Sequence, residues 1–339
     1  MSKPLRIALA GAGFVSRHHL IAWSKLSEAR VVAIADPNRA KAEERAKAFG
    51  IPDVFDDAAA MLDAAKPDAI DIATPVDTHA DLVRLAVSRA VAVLCQKPVT
   101  PTLAEAHALA AEIGARVPLM VHENWRFREP YRVARRWILD ERIGRVRRFS
   151  VSAESSGLIP PPGGGPPPGL VRQPFLAALP RLILFELLIH HLDVARALCG
   201  DLRVAAALTG RASDLVQGED HAAVLLEGPG VLGTVTGDFA VPGQPPITRD
   251  HVEVVGDRGR IAFDGVTLSC WSAAGELHQQ RFEPDAVYQS GYDAAIGHFV
   301  GCLATGEPFE TSLEDNLKTY RLVEDAYAVA PAPVARGAP

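Results

Sequence analysis

The feature that most constrains this chain is a glycine-bearing loop set between two short apolar runs. Leu5-Arg-Ile-Ala-Leu-Ala10 reads as a buried strand. It leads directly into Gly11-Ala-Gly13-Phe14-Val15-Ser16, after which a helical pattern begins. A second apolar run, Val31-Val-Ala-Ile-Ala, ends on Asp36, twenty positions beyond Ser16. Strand, tight turn, helix, strand and terminal acid form the pattern of a dinucleotide-binding unit. Gly11 allows the turn, and Gly13 lets the backbone approach a pyrophosphate at the positive end of the following helix. Phe14 and Val15 complete the cofactor-binding loop. Ser16 takes the place of a third glycine and is small enough for close helix–strand packing. Asp36 is placed to accept hydrogen bonds from the adenosine ribose, and its carboxylate would repel a 2′-phosphate, so the expected cofactor is NAD. Arg39 leaves room for NADP.

Residues 5–122 continue the alternation of strand and helix that builds a parallel α/β sheet. Strand-like runs fall at 5–10, 30–35, 69–73, 91–95 and 117–122, with helical patterns such as 39–49, 78–89 and 102–115 between them. Their carboxyl ends share one edge, where ligands bind. Beyond residue 124 the rhythm changes. A basic helix (131–141), a strand (147–153), a Pro/Gly-rich stretch (157–169) and an apolar helix (180–199) precede strand-like runs over 203–282, as in an antiparallel sheet. Helical patterns at 292–305 and 313–330 follow. The reading is two α/β domains, 1–124 and 125–330, the second with a large, mainly antiparallel sheet. The Pro/Gly stretch is expected to be an irregular mobile loop, and the Ala/Pro tail 331–339 to be disordered.

A net charge of −6 argues against a nucleic-acid partner, although nine arginines crowd residues 126–148; an amphipathic surface helix accounts for them. No apolar run reaches the length of a membrane span, and the N-terminus lacks the zones of a signal peptide. Cys95, Cys199, Cys270 and Cys302 are widely spaced, so reduced, mostly buried thiols in a cytoplasmic protein are expected.

Three clusters could carry chemistry. Asp71-Ile-Ala-Thr74-Pro75 with His79 would lie at the cofactor edge, although a turn with a capping cluster explains it equally. Gln96-Lys97-Pro98 ends the next strand. Lys97 is either an exposed turn lysine or a group that stabilises a substrate alkoxide beside a nicotinamide. Phe185-Glu186-Leu-Leu-Ile-His190-His191-Leu-Asp193 places Glu186, His190 and Asp193 on one face of a continuous helix. An imidazole there suits proton abstraction from an alcohol, with Glu186 orienting the ring or meeting substrate. The same stripe could ligate a metal, but the nucleotide unit already supplies a redox agent, and no metal is expected. His191, His18 and His19 read as structural.

With these four motifs in order, the chain resembles the Gfo/Idh/MocA family, the glucose–fructose oxidoreductase and inositol dehydrogenase relatives, over nearly its whole length. The resemblance implies an N-terminal Rossmann domain, a C-terminal α/β domain with an open sheet that pairs subunits into homodimers or homotetramers, and a sugar or polyol substrate. It implies Lys97 and His190 as the catalytic pair, Glu186 as the active-site acid, and a cis Lys97–Pro98 peptide. Gln96 would lie at the nicotinamide ribose, Asn124 near the nicotinamide and Arg172 at the active-site mouth. Three departures stand out: Gln96 replaces a usual glutamate, Glu186 a usual aspartate and Leu188 a usual glycine. His122-Glu-Asn124-Trp-Arg126 and Arg172-Gln-Pro-Phe are similar, more narrowly, to a branch that includes D-apiose dehydrogenases, which oxidise an aldose at its anomeric carbon. Keto-sugar reduction, inositol oxidation and a non-catalytic NAD(H) sensor are the rival readings.

Overall fold

The computed structural model describes residues 3–331 together with 334 and 335. The chain divides into two units, Met1–Arg128 with Tyr288–Lys318, and Glu129–Val287 with Thr319–Pro339.

The first unit carries β1 (Leu5–Ala10), α1 (Ser16–Ser24), β2 (Ala29–Ala35), α2 (Arg39–Phe49), β3 (Asp53–Phe55), α3 (Ala58–Ala65), β4 (Ala69–Ile72), α4 (His79–Ser88), β5 (Ala92–Gln96), α5 (Leu103–Ile113) and β6 (Leu119–His122). The sheet has six strands in the order β3-β2-β1-β4-β5-β6, all parallel. Strand order reverses between β1 and β4, which sets the ligand crevice at their carboxyl ends. Ile7, Ala8 and Leu9 in β1 are wholly buried, as expected of a strand covered on both faces. Trp23 of α1 packs with Leu94, Met120, Tyr292, Ile296 and Phe299 on one side of the sheet. Ala42 and Ala46 of α2 pack with Leu20 of α1, Leu9 and Ile34 in a second cluster on the same face. Tyr292, Ala295, Ile296, Phe299 and Val300 are buried at helical spacing, one apolar stripe that brings residues 288–318 into this unit. The sequence reading assigned that segment to the second domain.

The second unit begins with α6 (Glu129–Leu139) and β7 (Val146–Glu154), then α7 (Pro168–Arg172) and α8 (Ile189–Cys199). β8 (Arg203–Arg211), β9 (His221–Gly228), β10 (Val231–Asp238), β11 (Arg249–Gly256), β12 (Gly259–Phe263), β13 (Thr267–Ser272) and β14 (Leu277–Arg281) follow. α9 (Pro284–Thr305), α10 (Leu313–Val329) and β15 (Val334–Ala335) close the chain, with residues 288–318 of α9 and α10 belonging to the first unit. Nine strands form one sheet in the order β14-β13-β12-β11-β7-β10-β9-β8-β15, antiparallel except where β10 meets β7 and β15 meets β8. Burial alternates along β7, β10 and β11, so one face is core and the other stands open.

The Pro/Gly segment is irregular, as expected, but closed at its neck. Gly169 N–H donates to the Gly157 carbonyl at 2.8 Å, and a Cβ on Gly169 would stand 2.7 Å from that oxygen. Of the expected disordered tail, Val334 and Ala335 pair with Gly210 and Arg211 of β8, a ladder that outweighs the turn-forming composition. Residues 332, 333 and 336–339 lie outside the described residues.

Candidate functional site

The nucleotide edge is built on the carboxyl ends of β1 and β2. Gly11 has φ +100°, and a Cβ there would lie 2.5 Å from the Ala73 carbonyl oxygen, so only glycine fits. Its N–H donates to the Ala35 carbonyl at 2.8 Å, tying the loop to β2. Gly13 is exposed, and nothing stands within 4 Å of where its Cβ would be, leaving open space over the backbone. Ser16 Oγ donates to the Gly13 carbonyl at 2.7 Å. No side chain caps the start of α1 and no acid lies in its first turn, so its free N–H groups suit an anion. Val15 is half-buried and Phe14 is 46 % exposed.

Asp36 is held from two sides. Its oxygens accept from Ala12 N–H at 2.7 Å and Asn38 N–H at 2.8 Å, which fixes the carboxylate and still leaves each oxygen a lone pair for a ribose hydroxyl. The Arg39 guanidinium is held by Glu43 at 2.9 Å and Asp56 at 3.3 Å. A dinucleotide therefore fits this edge on three counts: open space over Gly13, an uncapped helix and a fixed carboxylate.

Along the same edge, Thr74 is half-buried and Pro75 exposed. His79 is 1 % exposed, with Nε2 at 2.9 Å from the Thr74 carbonyl oxygen and Nδ1 at 2.8 Å from that of Pro98. Burial lowers its pKa below the ordinary histidine value. With both ring nitrogens turned to backbone, His79 links the loops after β4 and β5. Lys97 follows β5 directly, half-buried, and the Lys97–Pro98 peptide is cis.

Gln96 is the hub of a largely buried chain. The Asp71 carboxylate accepts from His19 Nδ1 at 2.8 Å and from Trp23 Nε1 at 2.7 Å. The Gln96 amide nitrogen donates to His19 Nε2 at 2.8 Å and lies 3.1 Å from His122 Nδ1, while its Oε1 accepts from the Lys97 N–H at 3.2 Å. Asp71, His19 and His122 are fully buried. Asn124 is 3 % exposed in the short turn after β6.

In the second unit the helix expected over 180–199 runs unbroken from Ile183 to Cys199, but its first turn is not α-helical. Residues Ile183–Leu188 make a π-helical segment, and α8 starts at Ile189. Glu186 is half-buried on this wider turn, and His190 is 8 % exposed on α8. The α-helical spacing that would align Glu186 with His190 therefore begins only at Ile189, where His190 and Asp193 lie. Asp193 is fully buried, accepting from Thr319 Oγ1 at 2.7 Å, and Thr319 in turn accepts from Arg196 at 2.7 Å. Leu188 packs where the resemblance has glycine, against Gly237 of β10; a Cβ there would stand 2.8 Å from Leu188 Cδ2. His191 is fully buried, with Nε2 at 3.0 Å from Asp250. Arg172 is exposed at the end of α7.

Residues 5–121 match the oxidoreductase family with an NAD-binding Rossmann fold, Gfo/Idh/MocA, and residues 131–262 match the C-terminal domain of the same family. A D-apiose dehydrogenase from Paraburkholderia graminis is 36 % identical, covering 97 % of this chain and 88 % of its own. One from Rhizobium rhizogenes is 32 % identical, covering 96 % and 95 %. A crystal structure of an oxidoreductase from Agrobacterium radiobacter in complex with NAD+, L-tartaric acid and magnesium has a TM-score of 0.89 at 30 % identity, covering 96 % of each chain.

The chain belongs to the Gfo/Idh/MocA family.

It is an NAD-binding oxidoreductase of this sugar and polyol dehydrogenase family. The structure gives a physical reason for its departure at Gln96: with His19 Nδ1 bonded to Asp71, His19 Nε2 offers a lone pair, which an amide nitrogen meets and a carboxylate does not. His19 read as structural from the sequence, and its hydrogen bond to Gln96 was missed. Its place three residues after the Ser16 that follows the glycine loop was the available signal. Glu219, Tyr327, Asp250 and Tyr131, which hold the Glu186 segment, carried no sequence signal. Among the described residues, no helix is long and apolar enough to cross a membrane.

Proposed function

We propose that this family member is an NAD-dependent dehydrogenase that oxidises a free aldose at its anomeric carbon, with the D-apiose dehydrogenases it resembles pointing to the substrate class. The observation that carries the reading is identity of 36 % and 32 % to two such enzymes across nearly the whole chain. NAD is held by Gly11, Gly13, Phe14, Val15, Asp36, Thr74, Pro75, Gln96 and Asn124, with His79 fixing the loops beneath. When bound, NAD supplies the hydride acceptor. His190 takes the proton of the anomeric hydroxyl, and the Lys97 ammonium stabilises the alkoxide as charge develops. Glu186 and Arg172 bind the sugar. The pairing of Arg39 with Glu43 and Asp56 supports NAD over NADP, because it occupies the cation that a 2′-phosphate would need.

The protein assembles through the open face of its nine-stranded sheet as a homodimer or homotetramer. Leu208, Leu225 and Leu232 support this: neighbours across β8–β10, each is 43–56 % exposed.

The test is the rise of reduced-nicotinamide absorbance when the protein meets NAD and a panel of D-apiose, other aldoses and inositols. Reaction with D-apiose or another aldose supports the reading. Reaction with inositols alone moves the activity to the polyol side. Tight NADH binding with no turnover anywhere favours keto-sugar reduction or a sensor.

A further inference from the structure

The segment that carries Glu186 is unusual in its backbone and in how it is held. A π-helical turn is less stable than an α-turn, shifts carbonyls out of register and persists where surroundings impose it, often at functional sites. Here Ile183–Leu188 is held at its start by a buried carboxylate from outside the helix and at its end by a buried histidine of α8. At its start, Glu219 Oε1 accepts from Leu182 N–H at 3.1 Å, Leu184 N–H at 3.2 Å and the Tyr327 hydroxyl at 2.5 Å. Glu219 is 4 % exposed. Its backbone carbonyl also accepts from Ile183 N–H at 3.1 Å. One residue thereby meets three successive amides that the helix itself leaves over.

At its end, the Leu187 carbonyl oxygen lies 3.3 Å from His191 Nδ1. The other ring nitrogen of His191 lies 3.0 Å from Asp250 Oδ1 on β11, and Asp250 Oδ2 accepts from the Tyr131 hydroxyl of α6 at 2.6 Å. His191, Asp250 and Tyr131 are all buried. Beneath the turn, Gly237 gives Leu188 and Ile183 room to pack on β10.

We propose that Glu219 at one end, and the His191–Asp250–Tyr131 chain at the other, are positioning residues that impose the π-turn and thereby aim Glu186 and His190 at the substrate. The inference rests on the reading of His190 as proton acceptor. None of the four positioning residues touches the reacting atoms. They act through the backbone of residues 182–191, so their loss slows the chemical step and leaves nucleotide binding intact.

The test uses Tyr131→Phe, which removes the hydroxyl donor and keeps shape, and Glu219→Leu, which removes the carboxylate acceptor at similar volume, beside His190→Ala as reference. Amide hydrogen exchange of peptides spanning 183–190 is expected to quicken tenfold or more in both variants, with peptides of β1 and β4 unchanged. With NAD and D-apiose, kcat is expected to fall tenfold or more while the KM for NAD stays within about twofold. Combining either variant with His190→Ala should cost no further activity, because both losses act through one group. If His190→Ala keeps wild-type turnover, the catalytic reading fails and takes this inference with it. If His190→Ala is inactive but both positioning variants turn over like wild type, the inference alone is overturned. Unchanged exchange over 183–190 overturns it irrespective of substrate.

Discussion

The amide nitrogen of Gln96 donates to Nε2 of His19 at 2.8 Å, and this contact sets the chemistry of the buried edge beneath Lys97. Asp71 takes the proton on His19 Nδ1, so Nε2 has only a lone pair to offer. A carboxylate at position 96 would bring lone pairs against lone pairs. Gln96→Glu is therefore expected to lose about 1–3 kcal/mol of stability. Urea unfolding of the variant beside wild type checks it. Equal stability would show that the amide donor is not what the site requires.

Gly11→Ala tests the loop. The new Cβ would meet the Ala73 carbonyl at 2.5 Å, with φ at +100°. A loss of about 2–4 kcal/mol is expected from overlap and strain together, along with weakened NADH fluorescence binding. Gly13→Ala, whose Cβ meets nothing within 4 Å, should fold normally and lose nucleotide affinity alone. Equal stability losses in the two variants would contradict the account.

For cofactor choice, Asp36→Ala removes the carboxylate proposed to meet the ribose. The ratio of kcat/KM for NAD over NADP should fall tenfold or more, with kcat for NAD little changed. Steady-state kinetics with both nucleotides decide it, and an unchanged ratio would remove Asp36 from the explanation.

The first strand, the glycine loop, β2 and Asp36 were legible because a buried strand, a forced turn and a terminal acid each leave a local mark. β3 was not, since Asp53–Phe55 is three residues long and half-exposed. The stripe Tyr292 to Val300 announces a helix, but which sheet it covers is a tertiary fact no local pattern encodes. Residues 182–189 are apolar apart from Glu186, so their periodicity cannot separate a π-turn from an α-turn. What decides is Glu219, distant in sequence. Lys97, Glu186 and His190 were singled out by motif, while Glu219, Asp250 and Tyr131, which brace the Glu186 segment, left no local mark.

A pH effect on stability follows from His79. Burial depresses its folded-state pKa, whereas the unfolded chain titrates near 6.5. The contribution of the neutral ring is full above that value and is lost as pH falls below it toward the folded value, because the unfolded state then binds the proton first. The stability gap between wild type and His79→Gln should be widest above pH 7 and narrow toward pH 5, as read by urea unfolding. A gap that widens on acidification would reverse the assignment.

The most direct test of the central claim is turnover of Lys97→Ala and His190→Ala with NAD and D-apiose, measured beside NADH affinity. The account predicts kcat/KM lower by about 10²–10⁴ in each, with NADH binding near wild type. Near-normal turnover in either variant would contradict it.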